Sequence, residues 1–209
     1  MEAVVKKLMR EAGQTYAEEA GVPLKDQPAA LFKLLVLANL MSARITADIA
    51  MAAARELFEA GGGTPRGMNR LTWQQRVDAL GRGHYVRYDE STATRLGEMA
   101  ELVQDKYNGD LRRLPIEAGR DVDRAAELLK EFKGIGPTGV DIFCREAQQV
   151  WPWLRPYFDD QARKGADRLG LPSDPKRLAD EVPDRDIARF AAALVRTARD
   201  KKLADAVKG

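Results

Sequence analysis

Residues 129–142 read LKEFKGIGPTGVDI. Apolar spacing on either side of this stretch predicts two helices, and Gly134-Ile135-Gly136 forms the turn between them. Pro137 suits the first position of the second helix, because its fixed φ is helical and the N–H group that it lacks would have no helical partner there. The stretch therefore predicts two helices joined by a Gly-x-Gly hairpin.

Such a hairpin directs several backbone N–H groups toward one point at the start of its second helix. Gly134 and Gly136 lack a Cβ, so a phosphate oxygen can approach the backbone closely. Ile135 is placed to turn inward as a hydrophobic plug, and Lys133 adds positive charge beside the turn. The residues alone leave two interpretations open: a nest that binds an anion, and a plain turn between helices.

The rest of the chain also has helical apolar spacing, with Gly and Pro rather than Asn-Gly hairpin signals between segments. We therefore predict an all-α protein. A helix from Pro28 onward is apolar on every side and should be buried centrally. Thr72 and Gln75 have the spacing of a capping box, Asn108-Gly109 should end a helix, and the last long helix should run over about 186–206.

The composition excludes several kinds of site. Cys144 is the only cysteine among 209 residues, so the chain has no intrachain disulfide, no Cys-rich zinc site and no cluster held by four thiolates. His84 is the only histidine, so we expect no metal site built from side chains. No stretch has the apolar core of a signal peptide or membrane span, and we expect a soluble cytoplasmic protein. The formal net charge of +2 permits a nucleic-acid partner without arguing for one.

Several segments, taken in order, resemble one family. Residues 129–142 resemble the helix-hairpin-helix of the endonuclease III superfamily of base-excision DNA glycosylases, the helix-hairpin-helix-GPD fold. Residues 40–48, LMSARITAD, resemble its Leu-Leu-Ser-Ala-Gln segment, and Tyr88 with the helix after it resembles its Tyr-Asn-Ser-Lys-Ala segment. A Pro-containing loop over 151–156 then precedes Asp159, in the family's order. The resemblance covers about residues 28 to 170.

The resemblance implies a single domain over residues 1–209, with two helical lobes and an active-site cleft between them. One lobe would be about residues 28–143, and the other would combine about residues 1–27 with residues 144–209. It further implies a monomeric DNA-repair enzyme whose partner is double-stranded DNA containing a damaged or modified base. Such an enzyme would work in the cytoplasm, associated with the nucleoid. The target nucleotide must leave the duplex, because its glycosidic bond is inaccessible in the stack.

By the same resemblance, Gly134 and Gly136 hold a phosphate beside the lesion, within a DNA-binding hairpin that includes Lys133, Ile135 and Thr138. The resemblance also implies that backbone carbonyls on the opposite side of such a hairpin can hold a monovalent cation. No other cofactor is expected.

Asp159 is the predicted catalyst. Breaking an N-glycosidic bond develops positive charge on the sugar, which a fixed carboxylate stabilises while it orients an attacking water. The structural alternative is that Asp159 caps the helix that begins at Asp160, and the two roles are compatible. A shift of one residue in register would make Asp160 the catalyst instead.

Two departures from the family pattern bear on the reaction. Bifunctional members carry a Lys two residues after the second hairpin Gly, where this chain has Thr138. A hydroxyl cannot form the Schiff base of a lyase, so we predict a monofunctional glycosylase, a hydrolase without lyase activity. The chain also lacks the four cysteines of the family's iron–sulfur loop, so we expect no such cluster.

The alternative function is a non-catalytic protein that binds distorted or damaged duplex.

Further site residues follow from the resemblance. Arg44 stands where the family has a Gln that fills the gap left by the flipped base, and Arg87 stands where an apolar wedge would enter the opposite strand. Arg can stack on bases and reach phosphates, and the alternative for each is a solvated surface arginine. We expect the base pocket near Tyr88, Thr138 and the central helix. Tyr88 either stacks on the base or belongs to the ordinary core.

Overall fold

The computed structural model describes all 209 residues, Met1–Gly209. Every regular element is helical, which confirms the all-α prediction. The α-helices are α1 (Glu2–Ala12), α2 (Tyr16–Glu19), α3 (Pro28–Met41), α4 (Ala47–Leu57), α5 (Pro65–Arg70), α6 (Trp73–Arg82), α7 (Asp89–Tyr107), α8 (Arg113–Glu117), α9 (Val122–Lys130), α10 (Pro137–Ala147), α11 (Asp160–Leu169), α12 (Pro175–Ala179), α13 (Ile187–Arg199) and α14 (Lys201–Lys208). A π-helical turn covers Phe58–Gly62, and 3₁₀ turns cover Pro152–Leu154 and Asp184–Asp186. None of the helices is both long enough and apolar enough to cross a membrane.

The chain divides into two compact units, one of residues 19–143 and one of residues 1–18 together with 144–209. The resemblance implies a first boundary near residue 28, whereas in the structure the boundary follows Glu18. Contacts within the larger unit explain the difference. The carbonyl of Glu19 accepts a hydrogen bond of 3.1 Å from the Arg55 guanidinium on α4, and Ala20 and Val22 are buried.

Helix α3 is the most buried element of the 19–143 unit. Every residue from Leu34 to Met41 is buried, as its apolar character on all faces predicts. Helix α4 packs against α3, α6 packs against α4, and α7 packs against both α5 and α6. Asn39 is the one polar side chain among the buried residues of α3, and it contributes to the site described below.

Several helix ends were predictable because each depends on residues within one turn. Thr72 and Gln75 form the predicted capping box at the start of α6. Asn108 adopts a left-handed φ of 54° and ends α7, and Pro137 occupies the first position of α10.

In the unit formed by residues 1–18 and 144–209, α11 packs against α13, and α1 and α14 also contact α13. Ile187, Phe190 and Leu194 are buried on α13. Gly165 allows the close approach of α11, because a Cβ at this position would overlap the carbonyl of Leu194.

The prediction of one last helix over 186–206 is wrong. The structure has two helices there, α13 and α14, separated at Asp200. The backbone of Asp200 is extended, and its carboxylate accepts hydrogen bonds from the N–H groups of Lys202 at 2.8 Å and Leu203 at 3.2 Å. Aspartate favours this capping position over a helix interior, so it begins a new helix.

Two glycine substitutions test the packing of the helices. Gly165→Ala should lower the free energy of unfolding by about 1–3 kcal/mol, because the added methyl group must displace the α13 backbone. Gly81→Ala, on α6, should raise it by about 0.5–1 kcal/mol, because no atom lies within 4 Å of the added Cβ and alanine favours a helix. Urea unfolding measures both free energies. If Gly81→Ala destabilised the protein as much as Gly165→Ala, the close packing of α11 against α13 at Gly165 would be contradicted.

Candidate functional site

The predicted hairpin occupies residues 131–136, between the end of α9 and the start of α10. Gly134 has a φ of +89°, a value that favours glycine. Ile135 is 4 % exposed and therefore acts as the buried plug that the sequence predicts. The Ile135 N–H donates to the carbonyl of Phe132 at 3.0 Å and closes the turn.

The two hairpin glycines present free donors. No protein acceptor takes the N–H of Gly134 or of Gly136, although the Ile135 N–H between them is bonded. Gly134 is exposed, Gly136 is half-buried, and a Cβ at Gly136 would have no atom within 4 Å. Unpaired N–H groups beside open space are what the anion-nest interpretation of this turn requires.

Asn39 holds the hairpin against the central helix. Its side chain is buried, and its Nδ2 donates a hydrogen bond of 3.0 Å to the carbonyl of Lys133. A Cβ at Gly134 would lie 2.6 Å from the same nitrogen, so the contact requires glycine on the hairpin side. Sequence reasoning missed Asn39 as a site residue. The available signal was a polar side chain inside an otherwise buried helix, since a buried amide needs a partner.

A second close approach joins the end of α3 to the first turn of α10. A Cβ at Gly139 would lie 2.7 Å from Ser42 Oγ and 3.2 Å from the Ile135 side chain. Ser42 Oγ donates in turn to the carbonyl of Ala38 at 2.6 Å. The hairpin is thus packed from both sides of its turn.

Lys133 lies beside the turn, as expected, but its charge is partly compensated. Its ammonium group contacts the carboxylate of Glu98 on α7 at 2.8 Å, and both side chains are exposed. Exposed pairs of this kind contribute only about 0–1 kcal/mol, so the contact positions Lys133 without fixing it.

A cavity of about 340 Å³ lies next to the hairpin, wholly within the 19–143 unit. It brings together three residues singled out in the sequence, Arg44, Tyr88 and Gly134, and its wall includes Asn39 of the central helix. Thr138 and Arg87 are not among its lining residues. Thr138 is exposed in the first turn of α10, and the Arg87 guanidinium lies over the Tyr88 ring at 5.2 Å from the centroid.

Asp159 is the N-cap residue of α11, as the structural alternative predicts. Its Oδ1 accepts hydrogen bonds from the backbone N–H groups of Gln161 at 2.8 Å and Ala162 at 3.0 Å. Its Oδ2 accepts from the guanidinium of Arg145 on α10, and the side chains of Asp159 and Arg145 are 2 % and 3 % exposed. All these partners are donors, so they suit a carboxylate and fix its orientation.

Arg145 lies in a buried charged environment that sequence reasoning did not anticipate. Burial alone would lower the pKa of Arg145, but the carboxylates of Asp159 and Glu146 outweigh this effect and raise the pKa. Glu146 accepts hydrogen bonds from the N–H groups of Tyr16 and Ala17, and burial raises its pKa. The Nε of Arg145 has no hydrogen-bond partner.

Asp160, the alternative catalyst, has a different environment. Its side chain is exposed and pairs with Arg163 one turn along α11. The hydrogen bond from Arg163 lowers the pKa of Asp160. Only Asp159 of the two adjacent aspartates has an orientation fixed by buried contacts.

Comparison with solved structures identifies the architecture. The chain superposes on a non-covalent endonuclease III–DNA complex with a TM-score of 0.55 and 18 % identity, covering 91 % of this chain and 80 % of that one. It superposes on a trapped covalent endonuclease III–DNA intermediate, an estranged-adenine complex, with a TM-score of 0.50 and 17 % identity, covering 91 % and 84 %. This chain has the endonuclease III fold. No protein-family model and no curated protein sequence matches it.

The structural likeness holds at 17–18 % identity and shows the fold. Within this fold the predicted residues fall into two groups. The hairpin, Arg44 and Tyr88 belong to the 19–143 unit, and Asp159 belongs to the other unit. A cluster of four thiolates does not fit a chain with Cys144 as its only cysteine.

The two hairpin glycines should respond differently to the same substitution. Gly134→Ala should lower the free energy of unfolding by about 1–3 kcal/mol, because the residue has a left-handed φ and the new Cβ meets Asn39. Gly136→Ala should change it by less than about 0.5 kcal/mol, because the new methyl group meets nothing. Denaturant unfolding of both variants measures the difference, and equal losses of stability would contradict the role of Asn39.

Proposed function

We propose that this protein is a monofunctional DNA glycosylase, which hydrolyses the N-glycosidic bond of a damaged or modified base flipped from duplex DNA. One observation carries the proposal: in a chain with the endonuclease III fold, a carboxylate at the position expected of the catalyst is held by three donors. The neighbouring Asp160 has no comparable setting. Acting on such a substrate, the protein would work as a monomer on the DNA of the nucleoid.

DNA binding begins at the hairpin in this proposal. The free N–H groups of Gly134 and Gly136 would donate to one phosphate, and the open space beside Gly136 lets the phosphate oxygens reach the backbone. Backbone contacts of this kind fix the position of the duplex but do not read its sequence. The hairpin therefore anchors the protein, and lesion choice depends on other groups.

The reaction itself needs a fixed negative charge. As the bond between the sugar C1′ and the base nitrogen breaks, its electron pair leaves with the base and the sugar becomes cationic. The Asp159 carboxylate would stabilise that cation and orient a water, whose oxygen adds to C1′ while its proton is released. The products are a free base, which takes up a proton, and an abasic site.

The proposed absence of a lyase step rests on Thr138. An amine at this position could attack C1′ and form an imine, but a hydroxyl cannot. Thr138 is exposed in the first turn of α10.

A second function is favoured by one observation. The Asp159 side chain is only 2 % exposed, and its charge is balanced by Arg145. A buried pair of this kind is also compatible with a purely structural role, which leaves a non-catalytic protein that binds distorted or damaged duplex.

Substitution of the two aspartates separates these functions. On duplexes that carry alkylated, deaminated or oxidised bases, Asp159→Asn should reduce base release by about 10²–10³-fold, because the charge that stabilises the transition state is lost. Asp160→Asn, the matched control, should retain activity. Strand breaks revealed by hot alkali measure base release, and full activity of Asp159→Asn would contradict the assignment.

Stability must be controlled in the same experiment. Asp159→Asn removes the hydrogen-bonded counter-charge of Arg145, leaves Glu146 as the nearby carboxylate, and should cost about 3–5 kcal/mol of stability. The double variant Arg145→Gln/Asp159→Asn removes both charges of the pair and should recover part of that stability while remaining inactive, because Glu146 then loses the charge of Arg145. Activity that recovers together with stability in the double variant would show that Asp159 is structural.

A further inference from the structure

We propose that the cavity beside the hairpin is a second phosphate-binding site, in which Arg44 and Arg95 hold one phosphodiester of the DNA backbone. The inference rests on the proposed function only in that the partner is duplex DNA. It adds Arg95 to the site and gives Arg44 a role other than filling the gap left by a flipped base.

The charge of the cavity supports this proposal. Arg44, in the loop after α3, and Arg95, on α7, both line the cavity and are exposed, and neither forms an ion pair. The other lining residues include no Asp or Glu. Many other arginines of this chain are paired, including Arg82 with Glu56 and Arg112 with Asp110. Two unpaired guanidinium groups in one concave site favour an anion.

The guanidinium groups are the donors that the cavity offers to a phosphate. The hydroxyl groups of Ser42 and Ser91 already donate to the carbonyls of Ala38 and Tyr88. Gly134 also lines the cavity, but its free N–H is assigned to the phosphate at the hairpin. Guanidinium groups match the spacing of phosphate oxygens and donate two parallel hydrogen bonds. The same donor-rich, cationic wall disfavours a positively charged base as the occupant.

The position of the cavity connects it to the hairpin. Gly134 belongs to both, and a Cβ on it would lie 3.2 Å from Cδ of Arg95, so the Arg95 side chain runs alongside the turn. A DNA strand whose phosphate is bound by the hairpin would therefore pass over the cavity. Arg44 and Arg95 come from separate elements, so together they can grip that strand from two sides.

The test is the salt dependence of binding to undamaged duplex, which does not require base release. Each phosphate contact contributes about −0.9 to the slope of log K against log salt. If both arginines hold the same phosphate, the double variant Arg44→Gln/Arg95→Gln should lower the magnitude of the slope by about 0.9. Each single variant should lower that magnitude by no more than this amount. The control is Arg70→Gln, since Arg70 is exposed on α5 and forms no ion pair.

The proposal would be overturned by an unchanged slope, by a loss of about 1.8 in the double variant, which indicates two separate phosphates, or by an equal loss in Arg70→Gln. Weakened binding of Arg44→Gln only on lesion-bearing duplex would also overturn it, because that result assigns Arg44 to the gap. Circular dichroism checks that each variant is folded. The predicted changes in slope without any base release would support this phosphate site and reject the glycosylase function. Base release with unchanged slopes would support the glycosylase function and reject this phosphate site.

Discussion

The hydrogen bond from Asn39 to the carbonyl of Lys133 is the contact on which the hairpin depends. It joins a side chain in the most buried helix to the backbone of an exposed turn. A buried amide left without a hydrogen-bond partner lowers the free energy of unfolding by about 1–3 kcal/mol. The hydrogen bond to the hairpin carbonyl therefore stabilises Asn39 in its buried position. The contact also explains Gly134, because any larger residue would meet the Asn39 amide. One buried polar group therefore determines both the position of the turn and the residue that forms it.

A comparable constraint acts on Asp159 in the other unit. Two backbone N–H groups at the start of α11 and the Arg145 guanidinium bind the two oxygens of one carboxylate. Removing charges from water is unfavourable, and these hydrogen bonds offset part of that cost, although the Nε of Arg145 has no partner. Both carboxylate oxygens accept hydrogen bonds, which fixes the orientation of the group. Such fixed orientation is what electrostatic stabilisation of a transition state requires, because a group already in place need not reorganise during the reaction.

The sequence predicted those features that local rules determine. The hairpin, the start of α10 at Pro137, the capping box at Thr72 and the burial of α3 each depend on a few neighbouring residues. The ion pair of Asp159 with Arg145 joins residues 14 positions apart, and the contact of Asn39 with Lys133 joins residues 94 positions apart, so neither follows from local pattern. The break at Asp200 was missed because continuing apolar spacing hid a capping residue. Arg95 was missed because only the folded chain places it beside Gly134.

The most direct measurement of the proposed chemistry is mass spectrometry of the products from duplexes carrying single lesions, with borohydride added to a parallel reaction. A monofunctional glycosylase should release the free base, leave an abasic strand that breaks only in alkali, and give no covalent adduct with the protein. A borohydride-trapped adduct would contradict the role assigned to Thr138. Binding of lesion-bearing duplexes without any released base would contradict the assignment of the protein as an enzyme.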